Sequence, residues 1–290
     1  MRSNYKPAFT IVEATLAMSF IGVLLVTVSY IIIQMSAVYQ KTIAVKSVNA
    51  AGREVSDDFS HYIKASTLIN TNFLCGGNTD CENDGAYKYI YQQYYSDGTN
   101  NYIARAKDSK AVPTFGMFCT GRYSYAWNSG YVLNGKNKSI QGYRINYTYT
   151  NSDGNKITSN DFRLIRVEDP FNQLCSENFN GNTYTLNEGT YNLSVSLDGS
   201  GFSEPEELLN DFDAELAIYD LRVYRPGRHA LTYHAYYSGT FILATLQGDI
   251  DIMANDNYCK TEPEGYISEF SYCAINKFNF AARAIGETND

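Results

Sequence analysis

A run of about twenty residues without a charged side chain, Ala14 to Ile33, constrains this chain more than any other feature. Roughly 20 apolar residues rising about 1.5 Å each cover the hydrocarbon core of a bilayer as a helix. Glu13 stands at the mouth of that run, where a carboxylate in lipid is costly and calls for a partner. Arg2 and Lys6 lie upstream, and the next cation, Lys41, is about 40 Å further along a helix. A cleaved secretory signal has an apolar region of only about 7 to 15 residues. This run is longer and passes into further helical sequence without a break. A plain signal anchor accounts for Arg2, Lys6 and the span, but not for Glu13 or for the order Ala8, Phe9, Thr10.

From Lys6 the chain reads Lys-Pro-Ala-Phe-Thr-Ile-Val-Glu, so a short basic leader meets a small residue, a Phe, and a Glu four positions after the Phe. The pattern resembles the prepilin signal of type IV pilins and related pseudopilins of type II secretion-like machines. The resemblance implies cleavage by a prepilin peptidase between Ala8 and Phe9 and N-methylation of Phe9. It also implies Thr10 and Glu13 as assembly residues, the freed amine of Phe9 on one subunit pairing with Glu13 of a neighbour in an apolar bundle. The implied partners are the peptidase, other pilin subunits, the inner-membrane assembly machinery and the lipid bilayer. The implied location is the cytoplasmic membrane for a single-pass precursor and a surface pilus after assembly. Two departures from the family pattern stand out. Ala8 replaces the usual Gly, and no Pro occurs between Pro7 and Pro113, which leaves Gly22 as the weak point of the first helix. The specific motif covers about a fifth of the chain; the closing Phe270–Arg283 segment resembles the disulfide-closed end of pilin heads only loosely.

Helical periodicity continues beyond the apolar run. Val45, Val48, Val55, Phe59 and Ile63 form one stripe, opposite Lys46, Arg53, Glu54, Asp57, Asp58 and Lys64. Phe9 to Ser66 is therefore predicted as one helix of about 85 to 90 Å. Outside lipid a lone helix is marginal, so its second half must lie against something; in pilins that is the sheet of the head. Residues 67–290 turn to strand period. Tyr87 to Tyr91 and Tyr102 to Ala104 flank a turn at Ser96-Asp97-Gly98, and Tyr143 to Tyr149 precedes another at Ser152-Asp153-Gly154. Further strands are predicted at Tyr191 to Leu197, Leu216 to Tyr224 and Phe241 to Ile252, with a short helix at Pro205 to Phe212 because Ser203 and Glu206 have capping-box spacing. The Asn/Gly-rich Asn178–Gly201 stretch reads as an insertion or a subdomain seam. The expected fold is α+β and pilin-like: leader 1–8, a membrane and spine helix 9–66, and a mostly antiparallel β-rich head 67–290.

The formal charge is −8, and loss of the leader with Arg2 and Lys6 takes it to −10. Such acidity argues against nucleic acid as a partner, since that affinity comes largely from Lys and Arg on phosphates. The 26 Tyr suit sheet packing and extracytoplasmic contact surfaces. Cys75, Cys81, Cys119, Cys175, Cys259 and Cys273 all follow the apolar run, and an even number on an exported side favours disulfides. The preferred pairing joins Cys75 to Cys81 and Cys259 to Cys273 as local loops, leaving Cys119 with Cys175. No pair has CxxC spacing, so no metal is expected. His61, His229 and His234 show no HExxH pattern, and neither a GxSxG nor a phosphate-cradling loop occurs, so no enzyme and no cofactor is expected. Asp249, Asp251 and Asp256 fail the EF-hand spacing. Arg222, Arg225, Arg228 and His229 read as a solvated edge.

Overall fold

The computed structural model describes residues 10–65, 90–96, 99–101, 112–120, 122–135, 140, 142–169, 185–186, 193–197, 202–210, 212–224, 236–247, 250–252, 257–259 and 273–283. Helix α1 (Ile11–Lys64) runs without interruption through Gly22, capped by Thr10 and Ala65. The strands follow in chain order: β1 (Ile90–Ser96), β2 (Thr99–Asn101), β3 (Val112–Cys119) and β4 (Tyr123–Asn128). After the short helix α2 (Gly130–Leu133) come β5 (Ile145–Thr150), β6 (Lys156–Ser159), β7 (Leu164–Glu168), β8 (Thr185–Leu186), β9 (Leu193–Ser196) and β10 (Glu206–Glu207). The last are β11 (Leu216–Tyr224), β12 (Tyr236–Thr245), β13 (Ile250–Ile252), β14 (Asn257–Cys259) and β15 (Ile275–Arg283).

These make a six-stranded sheet in the order β10-β7-β4-β3-β1-β2, a three-stranded sheet β11-β12-β15, a four-stranded sheet β6-β5-β9-β8 and the pair β13-β14. Among the described strands the pairings are antiparallel except β5 with β9. One face of the six-stranded sheet carries Phe118, Tyr125, Trp127 and Leu164 into a core shared with α1, Leu221, Phe241 and Phe280. Its other face carries Phe115, Met117, Ile165 and Val167 against Ile145, Tyr147 and Leu197 of the four-stranded sheet side. The three-stranded sheet is likewise covered twice: α1 lies on one face, while Tyr131 and Leu133 of α2 and the Cys273 region pack on Ala217, Tyr219 and Ile242.

Phe59 is where these layers meet. Its ring stands edge-on to Phe118, Tyr125 and Phe241 at centroid distances of 5.8, 4.7 and 5.7 Å, the geometry aromatic quadrupoles favour. Small residues let α1 approach: Ala44, Ser47, Ala51 and Gly52 are buried along with Val48, Val55 and Ile63. A methyl group at Gly52 would overlap the ring of Phe278 on β15, so any side chain there requires that ring to move.

Several sequence expectations need correction. Val45 is 42% exposed and lies outside the buried stripe, because its neighbours Ala44 and Val48 face the sheet instead. Asp58 leaves the solvated face and pairs with Arg166. No helix forms at Glu206 and Glu207; their backbone pairs with Arg166 and Ile165 of β7 and completes that sheet edge. Ser203 is drawn into the same junction, its hydroxyl accepting the Glu168 N–H at 2.8 Å rather than capping a helix. The single strand expected from Phe241 to Ile252 is two, broken at a turn after Thr245 where the Leu246 N–H donates to the Glu215 carbonyl. The hairpin at Ser152-Asp153-Gly154 forms with Gly154 at φ +80° and the Asn155 N–H on the Asn151 side chain.

Candidate membrane and assembly segment

Local sequence makes the first half of α1 an apolar rod. Ile11, Leu16, Met18, Phe20, Ile21, Leu25, Ile31 and Ile33 all point to solvent with nothing packed on them, and similar residues occupy every side of the helix. Among the described residues this is the one helix long and apolar enough to cross a membrane. Its hydroxyls are disposed for an environment without water. Thr15 donates to the Val12 carbonyl at 3.0 Å, Ser19 to Thr15 at 2.8 Å and Thr27 to Leu24 at 2.8 Å. These three hydroxyls thereby find partners on their own helix, as suits a segment without water around it.

Glu13 has partners within the chain as well. Thr10 and Glu13 form a reciprocal capping box. The Glu13 N–H donates to Thr10 Oγ1 at 3.3 Å, while the Thr10 N–H and hydroxyl donate to Glu13 Oε2 at 2.9 and 3.0 Å. The carboxylate thus satisfies the first orphan donors of the helix and lies against its positive end. The signal for it is Thr-x-x-Glu directly before an apolar run. Ala8 and Phe9, the expected cleavage and methylation positions, lie outside the described residues.

The second half of α1 is fixed to the head by a polar seam. Tyr125 of β4 donates its hydroxyl to Asp58 Oδ1 at 2.7 Å, and the Arg166 guanidinium of β7 bridges Asp58 and the Glu206 carboxylate. The same guanidinium lies 4.1 Å from the centroid of the Tyr62 ring, which in turn packs on Tyr123. Burial raises the Asp58 carboxyl above the usual aspartate range, against the opposing pull of Tyr125 and Arg166. Burial works to lower the Arg166 guanidinium, but Asp58 and Glu206 outweigh it and hold it above its ordinary value. Two neighbours on the helix surface, Asn49 and Ser56, add bonds to β15: Asn276 donates to Asn49 Oδ1 at 2.8 Å and Ser56 donates to the Asn279 carbonyl at 3.1 Å. No local signal announces this seam, because Asp58 and Arg166 are 108 positions apart.

Cys259 and Cys273 are joined by a disulfide with their Cα atoms 5.9 Å apart. Cys119 is also disulfide-bonded and accepts the Ser124 hydroxyl at 3.2 Å. Cys75, Cys81 and Cys175 lie outside the described residues, as do His229, His234, Arg225, Arg228, Asp249 and Asp256. His61 is exposed and stacks edge-on to Tyr62, and Arg222 pairs with Asp220 at 2.7 Å. Among the described residues no group of His, Cys, Asp and Glu is placed to hold a metal ion. Comparisons of the chain with models of protein families, with curated proteins and with solved structures give no match.

Proposed function

We propose that this chain is a pilin-like structural subunit: a membrane-inserted precursor cut between Ala8 and Phe9 and assembled through α1 into a type IV pilus-like filament. The observation that carries this reading is the division of one 54-residue helix, apolar on every side and uncovered near its start, one-sided and packed on a β-rich head near its end. A static anchor needs the uncovered part only to cross lipid. A filament needs it twice, first in the bilayer and then against other copies, where van der Waals contact between apolar helices replaces lipid. Glu13 then provides register, its carboxylate meeting the freed amine of a neighbour's Phe9. The size of the head favours a minor or adhesive subunit over a bulk one.

The mass of the mature N-terminal peptide from membrane or sheared surface material tests the processing step. A start at Phe9, methylated, is expected; an intact Met1 or Arg2 in a host with active prepilin peptidase overturns the proposal in favour of a static anchor. Assembly is tested separately by Glu13→Ala, which is expected to leave export intact and abolish entry into filaments. Normal incorporation of that variant would remove the register role.

A further inference from the structure

Exposed apolar surface on α1 extends past what a hydrocarbon core requires. Large apolar side chains stand open from Ile11 through Met35, Val38 and Tyr39, a stretch of roughly 29 residues and about 43 Å. The hydrocarbon core takes about 30 Å, whereas a bilayer with both headgroup layers takes about 40 to 45 Å. The apolar length matches the whole bilayer. Ala44, the first residue that the head buries, follows Tyr39 by little more than one turn.

The excess is also patterned. At about 100° per residue, Met35, Val38, Tyr39 and Val45 fall within an arc of about 120°, on the side away from Ala44, Ser47 and Ala51. Lys41 and Lys46, both exposed, stand near the two margins of that arc and are the first cations after Glu13. The Thr42 hydroxyl, beside Lys41, turns back to the Val38 carbonyl at 2.8 Å and adds no free polar group to the stripe. Apolar side chains with an interfacial Tyr, flanked by lysines long enough to reach outward, are what the boundary between acyl chains and headgroups favours.

On the reading that α1 crosses a membrane, we propose that the Met35–Lys41 stretch lies in the headgroup layer, with Lys41 on lipid phosphates and Lys46, just outside that layer, reaching back to them. The head then sits directly on the membrane surface and not on a bare stalk. Charge complementarity names the occupant as anionic phospholipid: the remainder of the chain is strongly acidic, so these two lysines are the local groups that draw it to such a surface.

The test uses the full chain in vesicles of phosphatidylcholine with or without phosphatidylglycerol, carrying Leu24→Trp or Tyr39→Trp. The native Trp127 is fully buried in the head and out of reach of lipid-borne quenchers. An indole at position 24 is expected to be quenched by a spin label deep in the acyl chains. One at position 39 is expected to respond to a shallow label and to be shielded from aqueous acrylamide. Lys41→Glu with Lys46→Glu is expected to raise acrylamide quenching at position 39 on the order of twofold, in anionic vesicles only. Deep quenching at 24 with purely aqueous quenching at 39 overturns the inference and leaves the membrane reading standing. Loss of lipid quenching at both positions overturns both. Shallow quenching at 39 that ignores both the lysines and the anionic lipid overturns the phosphate contact.

Discussion

The two halves of α1 share one continuous backbone and differ in almost everything their side chains do. From Ile11 to Tyr39 the helix presents bulky residues on all sides and none of the large ones is covered; from Ala44 to Ile63 one stripe, small residues with Val48, Val55, Ile63 and the aromatic Phe59, is covered by the head. The contrast teaches what each surface is for. Docking on a sheet demands shape, so Ala44, Ala51 and Gly52 bring the backbone close and Phe59 fills the one deep socket. Lipid or a set of similar helices demands area without a fixed shape, so Leu, Ile, Val and Phe suffice there in any order.

Four measurements would break or sharpen that contrast, each by unfolding of the full chain in detergent. The largest effect is expected at the socket: Phe59→Ala should cost about 3 to 5 kcal/mol of head stability, whereas Phe20→Ala in the uncovered half should cost the head nothing measurable. Equal losses at both sites would erase the distinction. Next, replacing Cys259 and Cys273 together by Ser should cost about 2 to 4 kcal/mol, read from the denaturant midpoint. The two helical glycines give a difference in sign. Gly22→Ala meets open space and should leave the head within about 0.5 kcal/mol, while Gly52→Ala should destabilise it by about 1 to 3 kcal/mol despite better helix propensity. A stabilising Gly52→Ala would mean that Phe278 yields easily.

The smallest effect concerns Asp58. Its carboxyl is raised by burial, so across the pH interval between the unfolded and folded values the folded head binds more proton there than the unfolded chain does. The stability this adds is complete below about pH 4 and fades as pH rises through the folded value. The melting temperature of the parent relative to Asp58→Asn should therefore be most favourable in acid and decline toward neutrality. A difference that grows with pH would reverse the assigned sign and make the Arg166 pairing, not burial, the dominant influence.

Much of the architecture was legible where one face of an element is buried and the other is not. Tyr143 to Tyr149 alternates because β5 has a core side and a more open side, whereas the strand Leu216–Tyr224, covered on both faces, is marked by its run of apolar and aromatic residues and not by alternation. The central strands β3 and β4 escaped notice because both of their faces are covered, one by α1 and one by the four-stranded sheet. Continuous burial leaves no alternation to find. Pro113 also disguised β3, yet it sits beside a register shift at Gln93 and Tyr94, where a ladder tolerates it. The spacing of Ser203 and Glu206 misled for another reason. A capping box is a local preference, and an open sheet edge offering the backbone of Arg166 and Ile165 outbid it. Thr10 and Glu13 kept the same preference, and among the described residues nothing tertiary competes at that end of the helix.

One bond on the seam has a kinetic meaning. Ser56 reaches Asn279 across 223 positions, and the strand that carries Asn279 is the one against which α1 makes its closest approach at Gly52. The core therefore joins the beginning of the chain to its end. Closing so long a loop is slow, and while Phe118 and Tyr125 meet Phe59 across shorter loops, Gly52 and Ser56 meet β15 across this long one. A chain emerging in sequence can set Phe59 against Phe118 and Tyr125 early, whereas the side of α1 around Gly52 and Ser56 is covered when β15 arrives, so docking of the helix is completed late.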